Sequence, residues 1–71
     1  MATPVNAPMV GKILRVVVNV GDHISEDDPL LVMEAMKMEI EVVAPETGTI
    51  TAINVGVGDA VNPGTVLLVI D

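Results

Sequence analysis

Residues 30–43 read LLVMEAMKMEIEVV and are the most informative stretch of the sequence. Its two halves, 30–34 and 38–43, are rich in Val, Ile, Leu and Met and are bounded by a short joint, which is typical of two strands. In the second half Met38, Ile40 and Val42 alternate with glutamates, which predicts a strand with one buried and one wet face. This alternation buries at most Met38 of the two methionines beside the lysine and leaves Met36 in the turn. The stretch therefore predicts a tight hairpin with its joint at 35–37.

The joint is also the centre of an internal repeat. Residues 1–34 align without a gap on residues 38–71, and thirteen of the 34 positions are identical, or twelve if the initiator Met1 is discounted. Two copies are too few for a solenoid. They suit one closed, pseudo-two-fold domain, spanning 1–71, in which each copy supplies half of the core. The identical positions in the first copy are 1, 5, 7, 8, 11, 13, 18, 20, 21, 22, 30, 31 and 32.

Each copy has the composition and spacing of short β-strands. Val, Ile and Thr dominate, and Gly or Pro punctuates the chain every 8–12 residues, as in sandwiches and barrels. In both copies the shared apolar positions are spaced by three and then by twos (13, 16, 18, 20), which predicts a bulge between residues 13 and 16 and its equivalent 37 residues later. We expect an all-β domain with strands near 3–7, 11–18, 30–34, 38–43, 48–55 and 66–70, and short pairings around Ile24 and Val61.

The remaining motifs are interpreted as structural. Gly21-Asp22 and Gly58-Asp59 predict matching turns, in which glycine supplies positive φ and aspartate bonds nearby backbone. The acidic segment 25–28 matches Asn-Pro-Gly-Thr at 62–65 and lacks calcium-loop spacing, so no metal site is expected. His23 matches Ala60, which favours a solvated turn histidine.

Composition excludes several classes of function. The chain has 71 residues, no cysteine, no aromatic residue and one histidine, which removes disulfides, thiolate metal sites, thiol catalysis and base-stacking surfaces. Three basic against ten acidic residues give a net charge of −7, which repels nucleic acid and anionic membranes. No apolar run approaches a membrane span and no leader opens the chain, so we expect a cytoplasmic carrier or binding module.

Lys37 is the residue that the turn rules do not explain. Two-residue hairpin turns favour Asn-Gly or Asp-Gly, yet this joint contains neither, and broken local rules often mark functional sites. A nucleophilic lysine needs a buried site or a cationic neighbour, whereas Lys37 lies between Glu34 and Glu39 in an acidic chain. The ordinary role of such a lysine is a solvated charge; the alternative is an amine that another enzyme acylates. The repeat predicts Lys37 at one tip of the domain and both chain ends at the other.

The hairpin resembles a known attachment motif. Glu34-Ala35-Met36-Lys37-Met38-Glu39 is similar to the motif of biotinyl domains, the biotin carboxyl carrier domains of biotin-dependent carboxylases, decarboxylases and transcarboxylases. Ala-Pro-Met-Val-Gly at 7–11 matches the opening pattern of that family, and the resemblance extends from about Val5 to Ile70. It implies a flattened β-barrel, or barrel-sandwich hybrid, of two four-stranded antiparallel sheets. The direct passage from Arg15 into 16–20 lacks the inserted thumb of some bacterial carriers and looks more like the thumbless ones.

The resemblance also implies a function without catalysis. Lys37 would carry covalent biotin and shuttle a carboxyl group between a biotin carboxylase and a carboxyltransferase or decarboxylase. A biotin protein ligase would attach the biotin, reading a recognition hairpin formed by Glu34, Ala35, Met36, Met38 and Glu39. Two alternatives stay open: a lipoyl domain of a 2-oxo-acid dehydrogenase complex, which usually has Asp before the lysine, and an unmodified barrel-sandwich module that serves only assembly.

Overall fold

The computed structural model describes residues 1–71, which form eight strands and no helix. Six of the strands lie close to their predicted positions, and the two short pairings expected around Ile24 and Val61 are also present. The strands are β1 (Thr3–Asn6), β2 (Gly11–Val16), β3 (His23–Ile24), β4 (Pro29–Ala35), β5 (Met38–Val43), β6 (Gly48–Ile53), β7 (Ala60–Val61) and β8 (Val66–Ile70).

The strands form two four-stranded antiparallel sheets. One has the order β1-β8-β6-β3 and the other, which carries the hairpin, has the order β5-β4-β2-β7. Each sheet therefore takes two strands from each repeat, and the repeat exchanges one sheet with the other. The all-β fold that the sequence pattern predicts is confirmed, and so are the two four-stranded antiparallel sheets that the family resemblance implies.

The core lies between the two sheets and is entirely apolar. Seventeen residues are buried, none of them polar or charged, and sixteen belong to one cluster. The inward positions of β4 and β8 supply most of its large side chains, because each of these strands is flanked on both sides by a strand of four or more residues. The fully buried large residues are Ile13, Leu30, Leu31, Met33, Ile50, Leu67, Leu68 and Ile70.

The predicted bulges occur at equivalent places in both copies. In β2 the register passes from Ile13↔Met33 to Arg15↔Val32, which leaves Leu14 as the extra residue. In β6 the register jumps in the same way between Ile50 and Ala52. Each bulge lets the inward face change phase and increases the local twist, so that the sheets curve towards closure.

The glycine turns interlock the two copies. Gly21 and Gly58 have φ of 95° and 93°, and the following aspartates accept backbone N–H bonds of 2.8 Å from Asn19 and Gly56. The Gly21 N–H donates to the carbonyl of Ile50, in β6 of the other copy. Gly58 likewise donates to Ile13 in β2. Because each turn pairs with a strand of the other copy, β2 and β6 leave their ladders about two residues earlier than the sequence pattern predicts.

Candidate functional site

The joint between the two copies is a two-residue turn that closes the β4–β5 hairpin. Ala35 and Met38 form the last pair of the ladder, so Met36 and Lys37 are the two central residues. Their φ values are 53° and 63°, and positive φ at both central residues is the signature of a type I′ turn. This turn matches the right-handed twist of the flanking strands, which explains its presence even though neither residue is glycine or asparagine.

The side chains around the turn divide into one buried anchor and several exposed groups. Ala35 is 3% exposed, and Gly11 of β2 lies directly beside it. Met36 is 84% exposed and Lys37 is exposed too. The hairpin thus has a packed base and an open tip.

Met38 differs from the sequence expectation. Strand alternation predicts an inward position for Met38, on the same face as Ile40 and Val42, yet the Met38 side chain is 66% exposed. The reason is that β5 is an edge strand, paired only with β4, and the core ends at the row formed by Ala35 and Met38. Met38 therefore points from the inward side of the sheet into solvent, and both methionines beside Lys37 are accessible.

The charges near the turn are arranged in cross-strand rows. Glu34 lies opposite Lys12 of β2 on one side and opposite Glu39 of β5 on the other. All three side chains are exposed. The guanidinium Nη2 of Arg15 forms an ion pair of 3.0 Å with Glu39 Oε1. Lys37 takes part in no ion pair, so its ammonium is free to meet another molecule.

Arg15 is the residue that sequence reasoning missed in this region. It lies 24 positions before its partner Glu39, and no local pattern links them. The repeat contains one indication of their role: the residues that match Arg15 and Glu39 in the other copy are the uncharged Ala52 and Ala2. A pair present in one copy and absent from the other can serve the part that the copies do not share, which is the hairpin tip.

No pocket opens on the surface, and no three His, Cys, Asp or Glu side chains come together to hold a metal ion. No helix is long and apolar enough to cross a membrane. The chain ends meet in the other sheet, where the Met1 ammonium lies 3.3 Å from Asp71 Oδ1. Fold and site together define a small all-β domain that presents one lysine on an exposed turn.

Comparisons with known proteins identify the family to which this domain belongs. A family model described as "Biotin-requiring enzyme" matches residues 3–70. The chain therefore belongs to the biotin-requiring enzyme family, and the resemblance of its sequence to biotinyl domains is confirmed.

Two curated relatives and one solved structure illustrate the similarity. The "Biotinylated protein TB7.3 homolog" of Mycolicibacterium smegmatis is 61% identical over all of both chains. The "Biotin carboxyl carrier protein" of Streptococcus mutans is 60% identical over 61% of this chain and 33% of its own length. The crystal structure of the Kluyveromyces lactis urea carboxylase superposes with a TM-score of 0.94 at 32% identity, over 100% of this chain and 6% of that one. The chain thus spans about a third of the Streptococcus relative and a small part of the carboxylase.

Proposed function

We propose that this chain is a biotin carboxyl carrier domain and that biotin is joined to the ε-amino group of Lys37. The family supports the cofactor, and relatives named as biotinylated or biotin carrier proteins support the role. The observation that carries the residue assignment is the position of Lys37 in an exposed type I′ turn with no ion-pair partner. The domain is a carrier and has no catalytic part in the reaction.

Lys37 fits covalent attachment on chemical grounds. An exposed primary amine can reach the active site of a ligase, which activates the carboxyl group of biotin with ATP. The amine nitrogen then forms an amide bond with that carboxyl carbon, and the activating group and a proton leave. Formation of the amide removes the positive charge of Lys37 from a chain of net charge −7. When bound, biotin supplies a ureido nitrogen that carries the carboxyl group.

The rest of the domain acts as a tether and a presenting surface. The six pairs of the β4–β5 ladder and the buried Ala35 hold the base of the hairpin, while Met36 and Met38 stand exposed on either side of Lys37. Flexible thioethers adapt to several partner surfaces in turn. Tethering converts the encounter with each partner into a local event at high effective concentration.

Three partners follow from this role: a biotin protein ligase, a biotin carboxylase, and a carboxyltransferase or decarboxylase. We also propose that the domain acts in the cytoplasm, a compartment that supplies the ATP consumed when the carboxyl group is loaded. The presence of this fold in a urea carboxylase structure supports carboxylase partners as a class.

The test is the mass of the chain after incubation with a biotin protein ligase, biotin and ATP. We expect one biotinyl group on the wild-type chain, none on Lys37→Arg, and one on Lys12→Arg, the matched control because Lys12 is an exposed lysine on the same sheet. Both substitutions keep the charge. Biotin retained by Lys37→Arg would show that another amine is the site. A wild-type chain that takes lipoyl groups from a lipoate ligase and no biotin would overturn the proposal.

A second measurement tests the carrier role itself. The biotinylated chain is mixed with a biotin carboxylase, ATP and isotopically labelled bicarbonate. We expect the label to appear on the wild-type chain and not on Lys37→Arg. Labelling that is equal in the two chains would contradict a carrier role for Lys37.

A further inference from the structure

The outer face of the hairpin sheet carries an ion pair that crosses a whole strand. Arg15 belongs to β2 and Glu39 to β5, and β4 lies between them. The pair is 3.0 Å long and ends on a residue two positions after Lys37. Arg15 therefore joins the edge strand of the hairpin directly to the strand beyond its neighbour.

Val32 of β4 lies beneath this pair. In the ladders it is opposite Arg15 on one side and Glu41 on the other, so the three residues share the outer face. Val32 is nevertheless 8% exposed, and it is the one buried residue that does not belong to the core cluster. The aliphatic stem of Arg15 can cover such an apolar side chain while its guanidinium remains in water.

The pair also offsets a repulsion at the base of the hairpin. Glu34 and Glu39 are directly opposite each other in β4 and β5, and like charges in that relation destabilise a strand pair. The ion pair brings the positive charge of Arg15 next to the Glu39 carboxylate. Without it, the last charged row before the turn would contain two adjacent carboxylates with only Lys12 beside them.

The internal repeat shows that the fold itself does not need this pair. The residues that match Arg15 and Glu39 are Ala52 and Ala2, and Val69, which matches Val32, is only half-buried. That half of the molecule folds with the same strands and the same bulge. It differs in having the chain ends where the other half has the hairpin turn.

We infer that Arg15 is a positioning residue: acting through Glu39, it holds the edge strand β5 and thereby the Met36-Lys37 turn in the orientation that modifying and carboxyl-transferring partners meet. The inference rests on the proposed function of Lys37. The side chains of Arg15 and Glu39 are 57% and 62% exposed. Exposed pairs of this kind change a local opening equilibrium by about two- to five-fold. We therefore expect the pair to affect the local order of the hairpin more than the stability of the whole domain.

The first experiment compares Arg15→Gln with Lys12→Gln in the 71-residue chain. Both variants lose one positive charge from β2, and Lys12 makes no ion pair. We expect amide exchange over residues 36–39 to rise about two- to five-fold in Arg15→Gln and to stay at the wild-type rate in Lys12→Gln. Exchange in β8, in the other sheet, serves as the internal reference. Equal acceleration in both variants, or acceleration in β8 as well, would overturn the inference.

The second experiment measures biotin incorporation by a biotin protein ligase. Arg15→Gln should raise the KM for the chain by a similar factor and leave kcat unchanged, whereas Lys12→Gln should do neither. The advantage of the wild type over Arg15→Gln should decrease with added salt, because the pair is exposed. If Arg15→Gln raises KM while hairpin exchange is unchanged, the ligase contacts Arg15 directly and the positioning role is wrong.

A double-mutant cycle separates the pair from its parts. Since Arg15 acts through Glu39, the double variant Arg15→Gln/Glu39→Gln should exchange no faster than Arg15→Gln, and Arg15→Glu/Glu39→Arg should recover slow exchange. Additive effects would contradict the inference. If no variant accepts biotin, including the wild type, the proposed function fails, but the exchange measurements still decide whether the pair orders the hairpin.

Discussion

Met36 and Lys37 occupy the left-handed region of backbone conformation, where a side chain with a Cβ is disfavoured. Only one other residue that is not glycine, Asp27, does so, and aspartate tolerates this region better than methionine or lysine. The twist of the β4–β5 hairpin imposes positive φ on both turn residues, and the paired strands supply the energy that holds them there. The turn therefore carries long side chains at two positions where asparagine and glycine would be more stable.

This strain leads to a prediction for Met36→Asn. Met36 is 84% exposed and has a φ of 53°, so the substitution loses little buried surface and relieves the turn. We expect the free energy of unfolding to rise by about 1 kcal/mol, measured by urea denaturation.

Met38→Asn is the matched control for that measurement. Met38 is also exposed but lies in β5, outside the positive-φ residues, so asparagine there should give no gain. A stabilisation by Met38→Asn as large as that by Met36→Asn would show that turn strain is not the cause.

Strand β2 approaches the hairpin closely because it begins with glycine. A Cβ at Gly11 would lie 2.5 Å from the carbonyl oxygen of Glu34 and 2.5 Å from the Cε of Met33. Gly48, the matching residue that begins β6, is crowded in the same way by Ile70 and Asp71. Both copies thus use glycine to bring a strand against the end of its neighbour, which in the first copy is the base of the site.

We predict that Gly11→Ala destabilises the domain by about 1–3 kcal/mol, since a backbone oxygen must move to admit the methyl group. Urea unfolding measures the change. Gly56→Ala is the control, because a Cβ there meets nothing within 4 Å and φ is not in the left-handed range. That variant should be neutral or slightly more stable. A Gly11→Ala chain as stable as Gly56→Ala would refute the close approach.

At the scale of the whole molecule, neither repeat is an independent unit. Each sheet mixes strands from both copies, and each glycine turn pairs with a strand of the other copy. We therefore expect the chain to unfold in one cooperative transition. The surface of this single unit is strongly acidic, with ten acidic and three basic residues and only two ion pairs.

This imbalance predicts that salt stabilises the domain. Raising the salt from about 0.01 M to about 1 M shortens the screening length from about 30 Å to about 3 Å. The longest dimension of the molecule is 32 Å, so at low salt the repulsion acts across all of it. We expect the melting temperature to rise with sodium chloride, because screening removes more repulsion than attraction.

Glu26→Lys provides the control for the salt effect. The Glu26 side chain is exposed and makes no ion pair. The variant should be more stable than the wild type at low salt and should gain less from added salt. A melting temperature that falls as salt is added would mean that attractive pairs dominate.

The strands, the two bulges and the family could all be predicted from the sequence. These features are encoded locally, in the alternation of apolar and polar residues, the spacing of glycine and aspartate, and the contiguous motif around Lys37. Three other features are visible only in the folded chain: the early ends of β2 and β6, the exposure of Met38 and the pairing of Arg15 with Glu39. Each depends on which strand lies at an edge or beside which neighbour. Strand order brings together residues that are far apart in the chain, and no local pattern records that choice.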